Sequence, residues 1–414
     1  MIVTLVALAS CSEEPGGGLA QPDGAIVFGT PAMSVETRST FKDAIEAGES
    51  FGVIGYCLGY TVGTTTVNYN SGAGNWLTKR EYCPPSVFNR QRVTVESDGP
   101  CSYENIKYWY ANGKGLDGED VASVTNADNY RYTFFAYYPY DGAYEVEIPG
   151  TMKNEKGDDI LVGGSPVNVG APRLTFTMPQ TGTSLAAVLD HSATPDAMLA
   201  ALYDRRKSEG NLQFTFRHVL TGLGFVVNNY STRHLLVNKV ELRGTFYKRL
   251  IIDATTSTVT YESPSASPGD VYTGTYVVYD GGAGEVLDLT NDDPENVSVV
   301  SSQNPIGGEH VMLISGVQNQ SLGPVANDEN GYEPLEVVIH YKFWDNGDAE
   351  PSDWTVKAFT RPATFTFRSG TRYVARLDFV GDAFTIDFIQ ANGDIWQDGE
   401  AGDGDETNDD VVFE

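Results

Sequence analysis

Tyr132-Thr133-Phe134-Phe135-Ala136-Tyr137-Tyr138-Pro139-Tyr140 is crowded with aromatic residues, and neither glycine nor proline interrupts it before Pro139. Aromatic and β-branched side chains suit a pleated, packed surface, so a strand is expected over 130–138, ending at the proline. Outward from it, Ala25-Ile26-Val27-Phe28 and Ser50-Phe51-Gly52-Val53-Ile54-Gly55-Tyr56 read as two earlier strands. Downstream, residues 212–216 alternate, and 235–242, 271–279, 337–343, 363–367, 373–380 and 383–389 continue the series. Clusters of Gly, Asn, Asp and Pro punctuate the runs as turns. One helix is expected, over 192–207, where Thr194 stands as a cap, Pro195 falls in the first turn, and Met198, Leu199 and Leu202 recur at helical spacing.

The composition agrees with many strands joined by turns. The 414 residues include 44 Gly and 20 Pro, 41% are apolar and 20% charged, which excludes both a disordered polyelectrolyte and a helical bundle. With 27 Lys and Arg against 56 Asp and Glu the formal charge is −29. A field of that sign repels phosphate backbones, so nucleic acid is excluded as a partner. No repeat of solenoid or propeller period is visible. The expectation is an all-β chain of two tandem β-sandwich domains with minor helix: 25–180, then 181–414 with an acidic C-terminal tail, the boundary near Gln180-Thr181-Gly182.

Residues 2–9 form an apolar run too short to span a bilayer, and it ends in Leu8-Ala9-Ser10-Cys11. This resembles the lipobox of bacterial lipoproteins, which implies that residues 1–10 are a signal peptide and that Cys11 carries a lipid anchor. No basic residue precedes the run. Ser12-Glu13-Glu14 is similar to the acidic signal that sends such proteins to the outer face of the outer membrane. Residues 11–24, rich in Gly, Pro and Glu, read as a flexible tether. Three further cysteines, Cys57, Cys83 and Cys101, permit one disulfide in an exported protein, and Cys83 with Cys101 is the expected pair. Their wide spacing, with no Cys-x-x-Cys and no neighbouring His, points away from a metal or redox site.

The search for chemistry is otherwise negative. The five histidines, His191, His218, His234, His310 and His340, belong to no nucleophile–base or metal-ligand motif, and no nucleophile elbow, phosphate loop or dinucleotide fingerprint occurs. The expectation is a protein without catalysis, cofactor or metal. Acidic clusters at 292–295 and 403–410 carry the oxygen ligands that calcium prefers, but neither fits the twelve-residue loop and both read as solvated. Tyr108-Trp109-Tyr110 and Tyr137-Tyr138-Pro139-Tyr140 have the flat rings of a sugar platform, although alternate aromatics in strands more often fill a core.

The aromatic strand and, downstream, Leu212-Gln213-Phe214-Thr215-Phe216-Arg217-His218-Val219-Leu220-Thr221-Gly222-Leu223 resemble the fimbrillin family. So, in order, do Ile26-Val27-Phe28, Thr37-Arg38-Ser39 and 49–56 near the start. The resemblance runs from about residue 25 to the end. It implies transthyretin-like β-sandwiches and a subunit of a type V pilus, built from lipoprotein precursors. It further implies that an arginine-specific protease cuts between Arg38 and Ser39, removing the lipidated end together with the first strand, Ile26, Val27 and Phe28. A segment of another pilin subunit then fills the vacated groove. In shaft subunits of that family the donor lies in the C-terminal region, which makes Ile395 and Trp396, or Val411, Val412 and Phe413, the candidates. The acidic, Gly-rich stretch 397–410 between them departs from a long alternating donor, so shaft, tip and anchor roles all stay open.

The function expected is therefore a structural and adhesive subunit of a surface fimbrium. Its partners would be other pilin subunits, outer-membrane lipid through the acyl anchor, and a host protein or glycan receptor. The alternative is a lipid-anchored glycan-binding module that never polymerises.

Overall fold

A computed structural model describes residues 22–33, 44–58, 61–62, 65–66, 76–122, 124, 127, 130–181, 188–189, 193–254, 260–262, 267, 269–282, 286–291, 299–302, 306, 311–316, 322–324, 329–360 and 367–390. The aromatic strand, Arg131–Tyr138, is the middle of a seven-stranded sheet. The order is Ala32–Met33, Thr215–His218, Met198–Arg205, Arg131–Tyr138, Ser50–Leu58, Phe88–Thr94, Ser102–Tyr103. Successive side chains point to opposite faces of a strand. Tyr132, Phe134, Ala136 and Tyr138 enter one apolar core, while Phe135 and Tyr137 enter another. Both faces are covered, so the strand reads as an unbroken apolar run instead of an alternating one.

Its neighbour, Ser50–Leu58, is antiparallel, with Gly52 opposite Tyr137 and Gly55 opposite Phe134. The two glycines make room for rings. A Cβ on Gly52 would fall 2.1 Å from the Tyr137 ring. Across the second core lies a four-stranded sheet, Tyr144–Glu147, Arg173–Thr177, Arg249–Asp253 and Thr260–Glu262, which contributes Tyr144, Leu174, Phe176, Leu250 and Ile252. Strand pairing thus crosses the expected boundary near 180, since Met198–Arg205 and Thr215–His218 join the first sheet and Arg249–Asp253 pairs with Arg173–Thr177.

Apart from four short two-stranded pairs, the remaining strands make a second sandwich. One sheet runs Val300–Ser301, Thr221–Asn229, Arg372–Val380, Ala383–Gln390, with Thr221–Asn229 and Arg372–Val380 parallel. The other runs Val271–Asp280, His234–Tyr247, Glu336–Trp344, Thr355–Thr360. Phe225, Val227, Leu377 and Phe379 from the first meet Leu235, Val237, Leu242 and Ile339 from the second. The Tyr341 ring stands edge-on to Phe384, 4.8 Å between centroids. The chain is all-β, and among the described residues its α-helix is the single turn Trp76–Lys79. No described helix is long and apolar enough to cross a membrane.

Two expectations are corrected. The helix over 192–207 is absent, because Met198–Arg205 is a strand hydrogen-bonded to Arg131–Tyr138. Met198 and Ala200 go to one core and Leu199 to the other, so good helix formers with both faces buried imitate a helical pattern. The pair Cys83–Cys101 is not formed either. Cys57, Cys83 and Cys101 are buried free thiols, with Cys83 in the second core and Cys101 in the first.

Candidate functional site

The described chain opens with a turn, in which the Ala25 amide donates to the Pro22 carbonyl at 3.0 Å and Gly24 takes a φ of 82° that favours glycine. Beyond it residues 25–33 are extended. Ile26 and Phe28 share a face and are fully buried. Regular pairing is confined to Ala32–Met33, parallel to Thr215 and Phe216, with single bridges at Ala25 and Phe28.

This segment is hydrogen-bonded on both sides. On one side the Gly29 and Ala32 amides donate to the carbonyls of Leu212 and Phe214, each at 2.8 Å, and the Leu212 amide donates to Val27 at 2.8 Å. On the other, the Ile26 amide donates to Lys107 at 2.8 Å, the Cys101 amide to Phe28 at 2.9 Å and the Trp109 amide to Gly24 at 3.1 Å. The Tyr103 hydroxyl adds a bond to the Ile26 carbonyl at 2.6 Å. Thr215–His218 and Ser102–Tyr103 lie towards opposite ends of the seven-stranded order, so the opening segment joins those ends and closes the sheet around the first core.

The pocket for Phe28 is a box of rings. Phe214 is nearly parallel to it at 5.6 Å, and Phe88, Tyr103 and Phe134 surround it at 5.6, 5.7 and 6.0 Å between centroids. Burial pushes the Tyr103 phenol up to about 12, so its hydroxyl remains a donor at neutral pH. The Cys101 thiol lies 3.5 Å from the Gly29 carbonyl, and burial followed by the nearby Glu96 carboxylate raises it to about 11. Without the segment, Leu212, Phe214, Lys107, Cys101 and Trp109 would face an apolar trough with unpaired backbone groups on two edges. Such edges pair readily with another strand.

Ile26, Val27 and Phe28 are therefore seated in this slot. Cys11, Arg38, Ser39, Ile395, Trp396, Val411, Val412 and Phe413 lie outside the described residues. Of the aromatic platform candidates, Trp109, Tyr110, Tyr137 and Tyr138 are core residues, while Tyr108 and Tyr140 are half-buried. His218 is buried with Nδ1 2.9 Å from Asp196, and His234 stacks on Trp344 at 4.7 Å. Sequence reasoning identified Leu212, Phe214 and Phe216 as an alternating run and as part of the fimbrillin resemblance, with no role in the slot. No local signal announces that this run lies parallel to residues 28–33, nor that Tyr103 holds Ile26.

No family model matches the chain. It is 24% identical to a fimbrium subunit, Fim1C, of Phocaeicola vulgatus, with 96% of each chain covered. Its fold is similar to the crystal structure of a fimbrial protein from Bacteroides vulgatus, with a TM-score of 0.51 at 16% identity over 90% of this chain and 99% of that one. Together these likenesses support the fimbrillin resemblance carried by the aromatic strand.

Proposed function

We propose that this chain is a structural and adhesive subunit of a cell-surface fimbrium, assembled by exchanging its opening segment for a strand of another pilin subunit. One observation carries the reading: residues 25–33 fill a slot in the first core and are hydrogen-bonded on both sides. The cut falls between Arg38 and Ser39, and Cys11 holds the precursor to the outer membrane until then. The incoming strand comes from Ile395 and Trp396 or from Val411, Val412 and Phe413 of another subunit. The proposal covers a shaft, a tip or an anchor subunit. The work of the protein is mechanical, with no cofactor and no catalysis of its own.

The slot suits that work energetically. Each ladder bond contributes about 0.5–1.5 kcal/mol net and each buried Ile or Phe side chain about 1.5–3 kcal/mol. A strand seated between two edges dissociates slowly, and slow dissociation is what a fibre under load requires. The test is N-terminal sequencing of the protein shed from its native surface, with gel analysis in warm detergent. Chains beginning at Ser39 and running as a ladder are expected. Chains retaining Ile26 and Phe28 and running only as monomers would overturn the proposal.

A further inference from the structure

On the outside of the first half, an open groove of about 530 Å³ lies between Pro84-Pro85, Phe88–Thr94, the end of Tyr144–Glu147 and residues 166–168. Its lining is largely polar, with a stiff apolar part: Pro84 and Pro85 have fixed φ, and Ile148 and Val167 stand beside them. Its polar groups are all planar, the amides of Asn89 and Asn168, the guanidinium of Arg90 and the carboxylate of Glu147. The side chains of Asn89, Glu147 and Asn168 are exposed and, among the described residues, carry no hydrogen bond or ion pair.

The backbone is distorted to place two of these groups. Opposite Ile54 the pairing slips, with Val53 facing Gln91 and Gly55 facing Phe88, so Asn89 and Arg90 together form a bulge. Arg90 takes a φ of 58°, a left-handed conformation uncommon for a side chain of that size. Bulges re-aim side chains, and strained residues persist where their surroundings gain from them.

We infer that this groove binds a neutral saccharide. Pyranose rings present apolar C–H faces, which fit the proline and aliphatic walls, and a rim of vicinal hydroxyls, which planar amide, guanidinium and carboxylate groups bond two at a time. The volume lies within the range of small-molecule sites. One cation and one anion leave the groove without net charge, and the −29 of the whole chain repels sulfated or sialylated ligands. The inference does not depend on strand exchange, since the groove is distinct from the slot of residues 25–33.

The test is titration of the full chain with trisaccharides of mannose, galactose, glucose and N-acetylglucosamine, followed by calorimetry and saturation-transfer NMR, with sialyl and sulfated trisaccharides as comparators. At least one neutral sugar is expected to bind, and Glu147→Gln and Asn168→Ala to weaken it tenfold or more at an unchanged thermal midpoint. Arg90→Gly relieves the left-handed strain and removes the guanidinium's interaction with the Tyr137 hydroxyl, two opposed effects, so the midpoint should change little while binding is lost. Binding of no neutral member, binding indifferent to all three substitutions, or equal binding of the anionic sugars would each overturn the inference.

Discussion

The ring of Phe28 lies 5.6 Å from that of Phe214 and only 21° from parallel, so the opening segment and the strand it runs along share one aromatic stack. Truncating Phe28 leaves a hole walled by Phe88, Tyr103, Phe134 and Phe214, none of which can collapse without leaving its own core contacts. Phe28→Ala should cost about 3–5 kcal/mol of stability, and Val27→Ala, at a half-buried neighbour, far less. Denaturant unfolding of both variants checks the contrast, and equal losses would place the anchor of the segment elsewhere.

Tyr103→Phe removes one hydroxyl and keeps the ring. The bond lost, to the Ile26 carbonyl, is made by a buried donor, so the cost should be about 1 kcal/mol. The effect should be local. Hydrogen exchange at the amides of Ile26 and Gly29 should accelerate about fivefold, while the amides of Arg131–Tyr138 stay protected. Uniform acceleration across the first sheet would mean that the segment does not open separately.

Cys101 reports whether the slot is filled. In the intact chain its thiol is buried against Gly29 and should react with a maleimide hundreds of times more slowly than a free thiol. Cleavage after Arg38 and release of the segment should expose it, while Cys57 and Cys83 stay protected within their cores. The same burial makes the fold sensitive to alkali. Unfolded thiols titrate near 9.0, whereas folded Cys101 and Cys83 titrate near about 11 and about 12, Cys83 through burial first and the Asp204 carboxylate second. Between those values the unfolded chain binds fewer protons than the folded one, so stability present below pH 9 is lost as pH rises through that window. Thermal midpoints measured from pH 8 to pH 11 should fall, and Cys101→Ala should flatten the first part of the decline.

Much of this was legible in the residues, and what was not has a physical reason. The strands at 50–58, 131–138, 234–247, 271–280, 336–344, 372–380 and 383–390 carry β-branched and aromatic residues dense enough for propensity alone to find them. Met198-Leu199-Ala200-Ala201-Leu202 misled because a strand buried on both faces has no period-two pattern, and its residues are good helix formers. The apolar pair Ile26 and Phe28 marked a segment worth burying, but its partners stand at 101–109 and 212–216, far away in sequence and on opposite sides. Parallel pairing over that separation leaves no local trace. The groove at Arg90 was equally silent, since a bulge arises from a register slip against Ser50–Leu58 and not from the identity of Asn89 or Arg90.

Gly52 tests whether the ring opposite it fixes the packing of the first sheet. Tyr137 is 1% exposed and its ring lies over the Gly52 backbone, so a methyl at position 52 meets ring carbons and the hydroxyl well inside contact distance. The ring cannot swing away freely, because Tyr144 stands against it edge-on at 5.5 Å and Tyr140 stacks on it at 6.5 Å. Gly52→Ala should therefore destabilise by about 1–3 kcal/mol, the usual cost of overpacking, although alanine is otherwise the easier residue to order in a strand. If the clash is the cause, Tyr137→Leu in the same chain should give back part of that loss, and a double-mutant cycle on unfolding free energies should show coupling between the two positions of about 1 kcal/mol or more. Strictly additive losses would mean that the backbone at residue 52, and not the ring across from it, requires the glycine.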